Sequence, residues 1–154
     1  MDCFRVVASA PVSLADYIEA FYSSPVFRIE RGLLGVALGK GASDVDARSL
    51  AAGRTQGFAI WSVEGRTETQ ILLSAGRTRS WLRVDAGPAP GHPATVTLFF
   101  GSAVLPGRDA DAGPGFPFNA LLGFHKLYSR ALLASARSRL PSVQARRGEG
   151  PNPA

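Results

Sequence analysis

The chain has 154 residues, 45% hydrophobic and 19% charged, which fits one folded domain able to bury about two thirds of its unfolded surface and excludes a disordered chain. No apolar run approaches the roughly 20 residues that a membrane-spanning helix needs, and a single cysteine, Cys3, excludes an internal disulfide. The net charge of +5 with a pI near 10.1 raises the question of a nucleic-acid or membrane partner, which the placement of the charge decides.

Residues 4–8 (FRVVA) alternate and are β-branched, predicting a first strand. No basic region leads from the start of the chain into an apolar stretch, so no secretory signal is expected and the expected location is the cytoplasm. Ser13 is placed to cap a helix over 14–23, with Asp16 three residues on in a capping box. Pro25 interrupts, and a second helical piece is expected over 26–38, its end loosened by Gly35, Gly39 and Gly41. Ser43 then starts a short helix that Gly53 closes.

From Thr55 the apolar period switches to two. Glu64-Gly65 and Ala75-Gly76 read as two-residue hairpin turns. They set Trp61 opposite Glu68, Phe58 opposite Ile71, Ile71 opposite Ser80, Thr69 opposite Leu82 and Glu68 opposite Arg83. One face of the meander then carries Phe58, Ile60, Ile71, Leu73, Leu82 and Val84. The other carries Trp61, Arg66, Glu68, Gln70, Arg79, Trp81, Arg83 and Asp85, with Arg66 against Asp85. Cross-strand charge pairs of this kind contribute a few tenths of a kcal/mol each. After a loop over 86–93, residues 94–105 form the longest strand, with Val96, Leu98, Phe100 and Val104 on its apolar face and a register the loop leaves open.

A Gly/Pro/Asp loop over 106–117 leads to the element that needs the sheet as a partner, a helix over 118–140. Asn119 is its N-cap and Pro141 its stop. At about 100° per residue, Leu121, Phe124, Leu127, Tyr128, Ala131 and Leu132 share one flank, with Lys126, Arg130 and Arg137 opposite. Residues 141–154 read as a disordered tail, leaving one domain over 1–140. Residues 1–116 hold eleven basic and eleven acidic side chains, whereas 117–154 hold six basic ones against Glu149 alone. Fifteen of the 17 basic residues are Arg, in a chain rich in Ala, Gly and Pro. The excess therefore reads as a solvated helix face and tail raised by composition.

Strand, helix pair, antiparallel meander and long amphipathic C-terminal helix make an α+β fold, a curved antiparallel sheet gripping a terminal helix. This layout is similar to the helix-grip fold of the START and Bet v 1 (polyketide cyclase-like) superfamily. Residues 20–27 (AFYSSPVF), 31–35 (RGLLG) and 124–127 (FHKL) resemble a bacterial family of unknown function with that fold. The resemblance spans roughly residues 4–140 and carries no established catalytic residues. It implies a space between helix and sheet that holds an apolar ligand such as a lipid, sterol or polyketide. Phe58, Ile60, Ile71 and Leu82 from the sheet, and Phe124, His125, Tyr128 and Leu132 from the helix, would line it. The alternative is that these side chains fill the space, each large one contributing about 1.5–3 kcal/mol.

His125, at the edge of the helix's apolar flank, is the catalytic candidate, able to offer a titratable nitrogen to a cavity; the competing reading is a boundary histidine bonded to backbone or solvent. Thr67 and Thr69 are candidate polar anchors on the inward face. His92 reads as a solvated loop residue, and Cys3 as packing within its terminal strand. Two histidines and one cysteine without ligand spacing exclude a convincing metal site, and no cofactor is expected. Residues 35–41 (GVALGKG) fail the phosphate-loop pattern, which needs Gly at 34 and Ser or Thr at 41 where the chain has Leu34 and Gly41.

The leading expectation is a non-enzymatic module holding an apolar small molecule or lipid. The second is an enzyme of cyclase or hydrolase type working through His125 and Tyr128. The third is an interaction protein forming a homodimer through the Trp61/Trp81 face. That face mixes Trp with Arg as single-strand nucleic-acid surfaces do, but Glu68 and Asp85 neutralise part of it and no nucleic-acid partner is expected.

Overall fold

Two of the N-terminal helical stretches start from capping boxes. Ser13 Oγ accepts from the Asp16 amide at 3.1 Å while Asp16 Oδ2 accepts from the Ser13 amide at 3.1 Å, and Ser43 and Asp46 repeat the arrangement. These caps open α1 (Leu14–Tyr22) and α2 (Asp44–Ala51). Gly53, at φ 71°, takes the left-handed conformation that follows α2. The computed structural model describes residues 2–8, 11–29, 42–86, 95–105 and 116–148, without the side chains of 86 and 116–127. Of the helical piece expected over 26–38, residues 25–29 are helical and the rest lies outside the described residues.

The strands are β1 (Asp2–Ala8), β2 (Gly57–Phe58), β3 (Trp61–Arg66), β4 (Gln70–Ala75), β5 (Thr78–Ala86) and β6 (Val96–Val104). They form one antiparallel six-stranded sheet in the order β1-β6-β5-β4-β3-β2, so the fold is α+β. Phe4, Val6, Leu98, Phe100, Leu82, Val84, Ile71 and Leu73 point to the face covered by helices, and the last six are buried. Tyr17, Ile18 and Phe21 of α1 are buried against that face, the Phe21 ring 5.0 Å from Phe100.

Both hairpin registers differ from those read in the sequence. Thr67 closes the first turn: its Oγ1 accepts from the amides of Thr69 and Gln70 at 3.3 and 3.2 Å. The turn therefore lies at 67–69, both threonines are exposed, and Glu64 sits in a bulge where the pairing shifts between Val63 and Gly65. An earlier two-residue turn, Ala59-Ile60 with Ala59 at φ 54°, pairs Phe58 with Trp61 and turns both side chains inward. Trp61 thus leaves the face assigned to it and does not share one with Trp81. The second turn is Gly76-Arg77, which pairs Ala75 with Thr78 and Ile71 with Leu82. That slip of two residues preserves both faces, since the side-chain period is also two.

The expected charge pairs rearrange with the registers. Arg66 donates to the carbonyls of Leu50 and Ala51, both at 2.6 Å, at the C-terminal end of α2. Arg83 pairs with Asp85 on its own strand at 3.4 Å, and Arg79 pairs with Glu64 at 2.8 Å. Trp81 lies on the sheet face away from the helices, its indole N–H donating to Gln70 Oε1 at 2.9 Å. A Cβ at Gly101 would come 3.0 Å from its ring. Cys3 is exposed on the edge strand β1 and does not pack.

The C-terminal helix, α3 (Phe116–Gly148), runs through Pro141. Leu132, Leu133, Ala136, Leu140 and Val143 form its buried stripe, while Ala131 is exposed. Leu121, Phe124, Lys126 and Leu127 lie outside the described side chains; Arg130 and Arg137 are exposed. Proline inside a helix forfeits one hydrogen bond and crowds the preceding turn, at about 3 kcal/mol. Contacts beyond it offset that. Val143 is fully buried, and Gln144 Nε2 donates to the Pro11 carbonyl at 2.8 Å. Arg146 and Arg147 reach the Glu19 carboxylate at 3.1 and 3.3 Å, and Arg147 reaches Asp16 at 3.1 Å. Two of the C-terminal arginines therefore neutralise the buried acidic edge of α1, and residues 141–148 belong to the fold.

Candidate functional site

A cavity of about 270 Å³ lies between the sheet, the end of α1 and the middle of α3. Side-chain size along the strands explains why it opens there. On β5 the inward positions run Val84, Leu82, Ser80, Thr78, and on β6 they run Val96, Leu98, Phe100, Ser102. Toward the β4–β5 turn the branched side chains give way to hydroxyls, and Ser80 stands opposite Ser102. Ala75 on β4 and Ser129 on α3 are equally small and also line the space. Large side chains surround it: Tyr22, Phe27, Ile60, Trp61, Phe100, Tyr128 and Leu132.

The turn that carries Trp61 is strained. A non-glycine residue at positive φ, as Ala59 is, costs on the order of 1–3 kcal/mol and persists where surrounding contacts fix it. It delivers Ile60 and Trp61 to the wall of the cavity. Among the described residues, Trp61 Nε1 and Ser129 Oγ are both buried without a hydrogen-bond partner. Ser129 is 0% exposed, and its hydroxyl does not bond back to the preceding helical turn, the usual resort of a helical serine. A buried polar group left unpaired costs about 1–3 kcal/mol.

Of the ligand-lining residues expected from the sequence, Ile60, Tyr128 and Leu132 meet at this cavity. Phe58 lies in the adjoining aromatic cluster, its ring 5.0 Å from Tyr22 and 6.1 Å from Phe27. Ile71 and Leu82 pair across β4 and β5, are fully buried and do not line it. The side chains of Phe124 and His125 fall outside those described, as does His92. Sequence reasoning missed Trp61, Ser80, Ser102 and Ser129. Correct registers give inward serines a direct signal, since an inward serine beside leucines leaves space.

A second depression, lined by Glu19, Arg48, Ala52, Arg54, Arg146 and Arg147, is the surface of the clamp between α1 and the last turn of α3. Among the described residues no group of three His, Cys, Asp or Glu side chains is arranged to hold a metal ion, and no described helix is long and apolar enough to cross a membrane. No protein-family model, no curated protein and no solved structure matches the chain.

Proposed function

We propose that the chain is a helix-grip-like binding module that holds a small, mainly apolar molecule between its sheet and α3. The supporting observation is the cavity of about 270 Å³ walled by Phe27, Ile60, Phe100 and Leu132 and opened by inward Ser80 and Ser102. An apolar cavity of about 150 Å³ is enough to take up benzene. By proportion, this one has room for a molecule of about 11 heavy atoms.

Native mass spectrometry tests the reading. The purified chain, incubated with excess 4-phenylbutan-2-one or butylbenzene, is expected to carry one added molecule that is lost on denaturation. Ser80→Leu, which fills the space from the sheet side, should carry none. A chain that stays at its bare mass with both probes, or a Ser80→Leu variant that binds them as well as the parent, overturns it.

A further inference from the structure

We infer that the molecule held in this cavity carries a hydrogen-bond acceptor, a carbonyl or ether oxygen, at the end that meets Trp61 and Ser129. The inference rests on the binding reading above and narrows it from any apolar guest to one with a polar handle.

Among the described residues, Trp61 Nε1 and Ser129 Oγ are buried polar atoms without a hydrogen-bond partner. An indole nitrogen only donates, so Trp61 can be satisfied by an acceptor and by nothing else. A serine hydroxyl can turn to donate as well. The two groups come from opposite walls, β3 and the middle of α3, and both line the same cavity. An acceptor seated between those two walls would satisfy both donors, with the hydroxyls of Ser80 and Ser102 on the sheet side of the same space.

The contrast with the second tryptophan sharpens this. Trp81 N–H, which is less buried, has an internal acceptor in Gln70 Oε1 at 2.9 Å. Trp61 is only 9% exposed and has none among the described residues. Buried polar groups in proteins are nearly always paired, and one that is not calls for a missing partner. The Ala59 turn adds a second sign: strained backbone immediately before Ile60 and Trp61 presents the indole at a fixed place. Specific small-molecule sites combine mainly apolar walls with a few placed polar groups in this way.

Calorimetric titration with a matched pair of probes tests the inference. 4-Phenylbutan-2-one and butylbenzene have nearly the same size and shape and differ in the carbonyl oxygen. The ketone is expected to bind about tenfold more tightly than the hydrocarbon, after correction for their different transfer from water. In Ser129→Ala and in Trp61→Phe that ratio should drop toward one. Ser129→Ala changes volume little, so it keeps the test valid if Trp61→Phe fails to fold. Equal corrected affinities in the parent, or a preference that survives Ser129→Ala undiminished, overturn the acceptor while leaving the binding module intact. Failure of both probes to bind overturns the two readings together.

Discussion

Tyr17 shows how much one buried polar side chain depends on its partner. Its hydroxyl donates to the Phe99 carbonyl at 3.2 Å, and the residue is fully buried. Burial, with smaller contributions from Tyr22 and Cys3, pushes its pKa well above the ordinary tyrosine value. The folded state thus keeps a proton that the unfolded chain releases from about pH 10 upward. Its contribution to stability is complete below that pH and is lost as pH rises through the folded pKa. Tyr17→Phe should therefore lose about 1 kcal/mol at pH 7, the worth of one hydrogen bond. That difference should shrink or reverse at about pH 11. Urea unfolding at both pH values checks this, and an equal loss at both would contradict it.

At the scale of elements, the C-terminal helix carries the sharpest difference between sequence and structure. A proline after an amphipathic stretch normally ends a helix, because local hydrogen bonding is all a sequence pattern can weigh. Here Val143, Gln144, Arg146 and Arg147 dock on α1 and on the segment before it. Those long-range contacts outweigh the local penalty. Pro141 is exposed, so Pro141→Ala should restore a backbone hydrogen bond without disturbing packing and raise stability by about 1–3 kcal/mol. Thermal melts of the two proteins would show it. A lower melting temperature would mean that a bend at Pro141 is required to bring the last turn onto Glu19.

The rest of the secondary structure was legible to varying depth, for local reasons. Ser13/Asp16 and Ser43/Asp46 are complete signals within four residues, and both capping boxes form. The β4–β5 hairpin kept its faces although its turn moved, since an even slip leaves side-chain direction unchanged. The β2–β3 turn was hidden because Ala59 takes a positive φ that alanine rarely adopts. Missing it put Trp61 on the wrong face and hid the strongest feature of the candidate site. Tyr128 and Leu132 could be placed from helical periodicity, and Ile60 reaches the cavity from a turn rather than from the strand face read for it, whereas Ser80, Ser102 and Ser129 acquire meaning only once the registers put them at one cavity.

At the scale of the whole molecule, the described helices cover one face of the sheet and leave a space where small inward residues meet. The outer face keeps Trp81, Arg79 and Arg83, with both arginines engaged by Glu64 and Asp85. Part of the positive excess near the C-terminus is likewise turned inward, onto Glu19 and Asp16. Trp61 Nε1 and Ser129 Oγ are buried without a partner among the described residues, and both residues belong to the wall of that space, beside Thr78, Ser80 and Ser102. The central claim is that this void is a binding site and that Trp61 N–H meets the guest.

The chain contains two tryptophans, so a ¹H–¹⁵N correlation spectrum should show two indole signals, assigned with Trp61→Phe and Trp81→Phe. Titration with 4-phenylbutan-2-one should move the Trp61 signal downfield as its N–H gains an acceptor, while the Trp81 signal, already bonded to Gln70, stays in place. A Trp61 signal that does not move at saturating ketone would contradict the account.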